Sequence, residues 1–276
     1  MDGITKLVSL NFSDLMEPNI EIKHFPDGEN YIKLPEKIGE EIVVYHRLYP
    51  EPDNSLIQAI LMLRGISEKS KKITLIAPYL SYSRQDKIWE NGEVLSSKYI
   101  CEMLLWAGVK KLITYDCHFI KKEGRFKYWG LEIENRTLSG KLIEYAKENI
   151  FKNKKFQVVS PDLGSKYMVG NKGNSMKKTR GQYADGKEAR REISEMNIDF
   201  ELKEKNVLII DDMIAGGGTM LKGIEKLREA GAEKIACCAT HGFFLKESYK
   251  KLSEKSDYLF VSNTIPNKAS KVNFME

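Results

Sequence analysis
The chain is short of histidine and cysteine, with four of each in 276 residues. Cys101, Cys117, Cys237 and Cys238 form no CxxC pair, and no histidine stands at ligand spacing from them, which argues against a zinc centre. Cys237 and Cys238 are adjacent within the apolar run "KIACCAT" and read as small buried hydrophobes in a reducing compartment. No stretch approaches the roughly 20 apolar residues that span a bilayer. The N-terminal "MDGITKLVSL" lacks a basic stretch followed by an apolar core, so no membrane association and a cytoplasmic location are expected. Nor does one sign of charge dominate: the formal net charge is +5. Basic residues are interleaved with acids, so no nucleic-acid partner is expected.

What is present is the balance of an ordinary globular protein, 42% hydrophobic and 30% charged, at a length comfortable for two domains. Short apolar runs at 41–48, 72–79, 110–118, 156–162, 206–212, 234–242 and 256–263 read as strands. Amphipathic segments at 54–68, 94–108 and 219–231 separate several of them and read as helices. In the last, Leu221, Ile224 and Leu227 recur at helical spacing, and Gly231 is a natural stop. Strand–helix alternation implies an α/β fold with mainly parallel sheets flanked by helices. The segment 138–155 reads as a passage from one α/β half to another. The charged, glycine-dotted stretch 171–205 reads as a long functional loop or surface excursion.

One stretch carries chemistry on its face. In "NVLIIDDMIAGGGTM" (206–220) an apolar strand runs into Asp211 and Asp212, followed by Gly216, Gly217 and Gly218 and then Thr219 as a helix begins. Ligands of open α/β sheets bind beyond the carboxyl ends of strands. The glycines let backbone N–H groups converge without a Cβ in the way, and a helix N-terminus favours a phosphate. Adjacent carboxylates suit two neighbouring hydroxyls or a bound cation. A five-carbon sugar phosphate offers both features.

The stretch resembles the phosphoribosyl-pyrophosphate signature of type I phosphoribosyltransferases and ribose-phosphate pyrophosphokinases. The other motifs separate the two. "HFPDGENYIKL" (24–34), "PYLSYSRQDKIWENGEVLSSK" (78–98), "YDCH" (115–118), "VVSPDLG" (158–164) and "ATHG" (239–242) follow in the order seen in ribose-phosphate pyrophosphokinases. The chain is identified by these as a divergent member of that family.

The resemblance implies two phosphoribosyltransferase-like domains, an ATP-side domain over 1–140 and a domain over 141–276 with the ribose-5-phosphate loop and a catalytic flap. It implies transfer of the diphosphoryl group of ATP to the 1-hydroxyl of ribose 5-phosphate, giving phosphoribosyl pyrophosphate and AMP, with Mg2+. Phe25 and Arg84 would stack on adenine, Asp27 and Glu29 would accept from its amine, and Gln85, Asp86 and Lys87 would continue the nucleotide segment. His118 and Asp162 match the metal ligands, with Asp116 in support. Asp211, Asp212, Gly216, Gly217, Gly218 and Thr219 match the ribose-5-phosphate loop. Lys178 and Arg180 match two cations of a flap that closes over the leaving phosphates. A neighbouring subunit of a homo-oligomer would supply the 25–29 loop. His24, His46 and His241 receive no catalytic role.

The chain departs from the family where an acid and a threonine give way to Ala215 and Gly216, and where a second glycine after "SPDLG" gives way to Ser165, whose side chain is expected to intrude on the ligand loop. These changes fall on the ribose-phosphate side. They leave two further readings beside an active synthetase: a nucleotide-binding paralogue that regulates or scaffolds a true synthetase, and a diphosphokinase of another sugar phosphate.

Overall fold
The computed structural model describes residues 4–170, 173–183 and 191–275, with the backbone alone at 180–183 and 191–195. The chain divides into two compact units, Met1–Arg136 and Thr137–Glu276.

In the first unit the elements are β1 (Ile4–Val8), β2 (Glu21–His24), β3 (Asn30–Lys33), β4 (Glu41–Tyr45), α1 (Pro52–Ser67), β5 (Lys72–Ile76), α2 (Ser96–Trp106), β6 (Val109–Tyr115), β7 (Gly124–Tyr128) and β8 (Leu131–Arg136). Six of the strands form one sheet in the order β1-β4-β5-β6-β8-β7. All neighbours in it are parallel except β7, which returns antiparallel to β8. β2 and β3 stand apart as an antiparallel hairpin. The sequence dictates α1 plainly. Pro52 sits in its first turn, where no N–H is needed, and Leu56, Ala59, Ile60, Leu63 and Ile66 form one buried stripe at helical spacing. That stripe packs on Ile42, Val44, Ile73 and Leu75 of the central strands.

The second unit begins with α3 (Ser139–Tyr145), continued by one π-helical turn over Ala146–Ile150. The segment expected to be a passage between halves is therefore helical and packs within the second unit. Then follow β9 (Gln157–Ser160), β10 (Asn174–Ser175), β11 (Lys177–Tyr183), β12 (Arg191–Asn197), β13 (Asn206–Ile214), α4 (Gly218–Glu229), β14 (Lys234–Gly242), α5 (Ser248–Lys255), β15 (Tyr258–Ser262) and β16 (Ser270–Val272). The sheet is parallel throughout, in the order β10-β9-β13-β14-β15-β16. The stretch read as a long loop, 171–205, supplies β10 and an antiparallel ribbon of β11 and β12, with Lys178 opposite Met196.

Strand order locates the crevice. From β9 the chain goes outward to β10, and from β13 it goes the other way to β14. The order therefore reverses between β9 and β13, and a crevice opens beyond their carboxyl ends. All four cysteines are free and buried, and burial pushes the Cys101 and Cys237 thiols up to about 12, which leaves them inert packing groups. Among the described residues no helix is long and apolar enough to cross a membrane.

Candidate active site
At the order reversal Asp162, Lys178 and Asp211 of the second unit come close to one another. β9 ends at Ser160, and two residues later the Asp162 carboxylate closes a tight turn, accepting from the N–H groups of Gly164 (2.6 Å) and Ser165 (3.3 Å). Lys178, on β11, forms an ion pair with Asp162, and its Nζ lies 3.4 Å from the Thr219 hydroxyl in the first turn of α4. The Lys178 side chain is 5% exposed and that of Asp162 18%, so the pair is largely withdrawn from water and holds its geometry better than a surface bridge would.

Asp211 and Asp212 both lie inside β13. The strand was expected to end at these residues; instead it runs on to Ile214, because β14 continues beside it and pairs Met213 with His241 and Ile214 with Gly242. Successive strand residues point to opposite faces of a sheet, yet the two carboxylates stay close enough for the charge of Asp212 to act on Asp211. On the Asp211 face, Val207 and Ile209 pack with Ile224 and Leu227 of α4 in the core. β9 pairs only as far as Ile209, so Asp211 comes just where β13 loses that neighbour. The Asp211 carboxylate turns back onto the Asp212 N–H at 3.0 Å. Burial raises Asp211 well above the ordinary carboxylate range, and the charges of Asp212 and Asp162 raise it further; the Ser165 hydroxyl and the Lys178 ammonium oppose the rise. Ser165 itself does not intrude on open space. It is 1% exposed, and its hydroxyl has no partner of ordinary hydrogen-bond geometry but lies close enough to Asp211 to favour the charged form.

The glycine turn has one position that demands glycine and two that face open space. Gly217 has φ +74, and a Cβ there would stand 3.1 Å from Ser248 Cβ and 3.2 Å from Leu252 Cδ1. Added Cβ atoms at Gly216 and Gly218 would meet nothing within 4 Å, which leaves backbone N–H groups approachable at the start of α4. Ala215 turns its carbonyl inward to the Leu245 N–H (3.0 Å) and the Ser248 hydroxyl (3.1 Å). Arg180 lies on β11 two residues after Lys178; its side chain falls outside the described residues.

In the first unit Phe25, Asp27 and Glu29 occupy the exposed tip of the β2–β3 hairpin. The tip is closed by Phe25 N–H on the Glu29 carbonyl at 2.8 Å, with Gly28 at φ +96, and Phe25 stands edge-on to Tyr31 at 5.8 Å. Arg84, Gln85 and Lys87 are exposed on the loop between β5 and α2, and Asp86 is half-buried there. Gln85 is taken up by α2: Ser96 donates to its side chain, and Ser97 to its carbonyl at 3.0 Å. Lys87 lies over the Trp89 ring at 5.9 Å. His118 sits on the turn after β6, and Asp116 before it is fully buried. His46 and His241 are buried and hydrogen-bonded, to Ser9 and Ser55 and to Thr264 respectively, as structural histidines are.

Sequence reading missed the tie between Gln85 and Ser96 and Ser97, and it missed Asn135, eighteen positions from the Cys117 whose N–H it accepts. Neither has a local sequence signal, since each depends on the start or end of another element.

Among the described residues no three His, Cys, Asp or Glu side chains converge as a metal cage. What does fit a hard cation is Asp162, whose carboxylate already holds the Lys178 ammonium as a positively charged neighbour. Magnesium is commonly held by one or two carboxylates with phosphates and waters completing its shell, a donor set of this sort.

Fold and crevice together define a phosphoribosyltransferase-type α/β protein. Residues 10–108 match the N-terminal domain of ribose phosphate pyrophosphokinase, and 136–274 match the phosphoribosyl transferase domain. The chain is 34% identical to a ribose-phosphate pyrophosphokinase of Sulfurisphaera tokodaii, over 100% of this chain and 92% of that one. It is 33% identical to one of Pyrococcus furiosus, over 93% and 90%. A solved phosphoribosylpyrophosphate synthetase from Mycobacterium smegmatis shares the fold, with a TM-score of 0.79 at 22% identity over 98% of this chain and 92% of that one. The chain belongs to the ribose-phosphate pyrophosphokinase family.

Proposed function
We propose that this chain is an active ribose-phosphate pyrophosphokinase that moves the diphosphoryl group of ATP onto the 1-hydroxyl of ribose 5-phosphate. The observation that carries this is the meeting of Asp162, Lys178, Thr219 and Asp211 at the reversal of strand order, beside a glycine turn with open space before it. Names borne by relatives of nearly full-length match support the activity, whereas nothing favours a scaffold or another sugar phosphate.

In this reading the sugar 1-oxygen gives up its proton to water and bonds to the β-phosphorus, the bond from that phosphorus to the α-bridging oxygen breaks, and AMP leaves with the charge on its own oxygen. Residues 216–218 and Thr219 hold the 5-phosphate through backbone N–H groups and one hydroxyl. Asp211 and Asp212 accept hydrogen bonds from ribose hydroxyls. Lys178 and Arg180 spread the charge that develops on the phosphates. His118 and Asp162 would hold magnesium, which when bound neutralises phosphate oxygens. Phe25 and Arg84 stack on adenine, Asp27 and Glu29 read its amine, and Gln85, Asp86 and Lys87 line the nucleotide path. Residues 1–140 thus form the ATP half and 141–276 the sugar-phosphate half. The exposed hairpin tip at 25–29 suits presentation to a neighbouring copy in a homo-oligomer in the cytoplasm.

Phosphorus NMR of the protein with ATP, magnesium and ribose 5-phosphate tests the proposal. AMP together with a diphosphate on carbon 1 is the expected result. ATP that stays intact with ribose 5-phosphate but is consumed with another sugar phosphate would transfer the assignment to that acceptor. ATP intact with every acceptor would favour the paralogue.

A further inference from the structure
The turn after β6 is held by a side chain from another strand. Residues 116–120 fold back with the Ile120 N–H on the Cys117 carbonyl at 2.8 Å. Asp116 is fully buried there with φ +38, in the left-handed region that residues other than glycine seldom occupy. Such a backbone persists only where its surroundings over-determine it. Those surroundings are the end of β8. The Asp116 N–H donates to the Arg136 carbonyl at 2.8 Å. The Asn135 side chain then accepts from the Cys117 N–H at 2.9 Å and donates to the carbonyls of Ile120 at 3.2 Å and Lys122 at 2.9 Å. All three side-chain bonds run to the backbone of one segment, and His118 lies between the points they hold.

The position of Asn135 on its strand makes the choice of residue informative. Leu131, Ile133 and Asn135 are alternate residues of β8, and each is fully buried. The apolar pattern gives way to an amide only at the carboxyl end of the strand, where the turn bearing His118 emerges. A planar amide offers one acceptor and two N–H donors in a fixed arrangement, which an apolar side chain of like size cannot do.

We infer that Asn135 is a positioning residue for the reaction: it clamps the 116–122 segment and so fixes where His118 is presented. The inference rests on the reading of His118 as a metal ligand given above. Groups that orient a ligand from behind commonly change metal affinity or activity by about 10- to 100-fold when removed.

The test compares Asn135→Ala, Asn135→Asp, His118→Ala and the His118→Ala/Asn135→Ala pair in the full chain. Turnover of ATP with ribose 5-phosphate and magnesium is one readout. The imidazole NMR signals of the four histidines, with and without manganese and ADP, are the other. Asn135→Ala should lower turnover about tenfold or more, yet cost nothing further once His118 is alanine. Its spectrum should move the His118 signal, and weaken its broadening by manganese, while His24, His46 and His241 stay in place. Asn135→Asp keeps the oxygen that faces Cys117 and should recover part of the loss. If Asn135→Ala does not fold, Asn135→Asp carries the comparison, with its loss again absent in the His118→Ala background. Full turnover and an unmoved His118 signal in the Asn135 variants, with His118→Ala slow, would overturn the inference alone. An equal loss with and without His118, or shifts in all four histidines, would reduce Asn135 to a general structural role and overturn it too. His118→Ala at full turnover would overturn the reading of His118 itself, and the inference with it.

Discussion

At the scale of single residues, Lys178 has the clearest burden. It is the buried cation within reach of both Asp162 and Thr219. Lys178→Ala should reduce turnover by about 100- to 1000-fold, the usual effect of removing one preorganised charge-stabilising donor. Steady-state rates should show this with a smaller change in the KM for ribose 5-phosphate; a turnover within threefold of the parent would remove Lys178 from the chemistry. His46 gives a prediction about stability. Burial lowers it to about 4, its Nε2–H donates to the Ser55 carbonyl at 2.8 Å, and Nδ1 faces the Ser9 hydroxyl at 2.9 Å. The unfolded chain takes up this proton near pH 6.5 and the folded one only near 4, so stability falls as pH drops through that window, by about 3 kcal/mol. All three tryptophans, Trp89, Trp106 and Trp129, lie in the first unit with His46. Guanidinium unfolding followed by their fluorescence should show the fall, and His46→Asn should flatten it. Equal slopes in the two proteins would contradict the assignment.

At the scale of elements, the turn from β13 into α4 separates folding from binding. Gly217→Ala places a side chain in left-handed backbone against Ser248 and Leu252, and should cost about 1–2 kcal/mol in thermal or chemical melts. Gly218→Ala adds a methyl group into open space at the first helical position and should leave the melting temperature within a degree or two. The same substitution should weaken ribose 5-phosphate markedly, as seen in titration calorimetry, because the methyl group stands where the phosphate approaches. A Gly218→Ala protein with unchanged affinity would move the phosphate elsewhere. Much of this element was legible in advance. The apolar run, the glycines and the spacing of Leu221, Ile224 and Leu227 mark a strand, a turn and a helix, and Gly231 ends it at φ +95 as the stop signal indicates. The extension of β13 past Asp212 was not legible. It depends on how far β14 runs alongside, and no local residue reports that.

At the scale of the whole molecule, the exposed tip at Phe25, Asp27 and Glu29 leads to a test of shared sites. Asp27→Ala and Lys178→Ala should each be nearly inactive alone. If each site takes its hairpin tip from a neighbouring copy, oligomers assembled from equal amounts of the two should regain activity at about one site in four. Mixed assemblies without activity would assign each site wholly to one chain. The mainly parallel α/β fold was visible in the alternation of strands and helices, while β7 and β8 were not. "GRFKY" and "LEIENR" alternate as half-buried strands do, but both are short, charged at every second position and joined by a turn without a strong hairpin pair.

By itself the sequence determined most of the central strands and the helices between them, where the glycine turn falls and which chemical groups are on offer, because those follow from local periodicity and residue type. Tertiary structure decided which groups meet. β9 stops at Ser160 while β13 runs on to Ile214, β11 brings Lys178 to Asp162, and β8 lends Asn135 to the turn of His118. Each of these depends on the order and register of strands distant in sequence. They are set by the packing of the whole sheet and have no counterpart in any short stretch of residues.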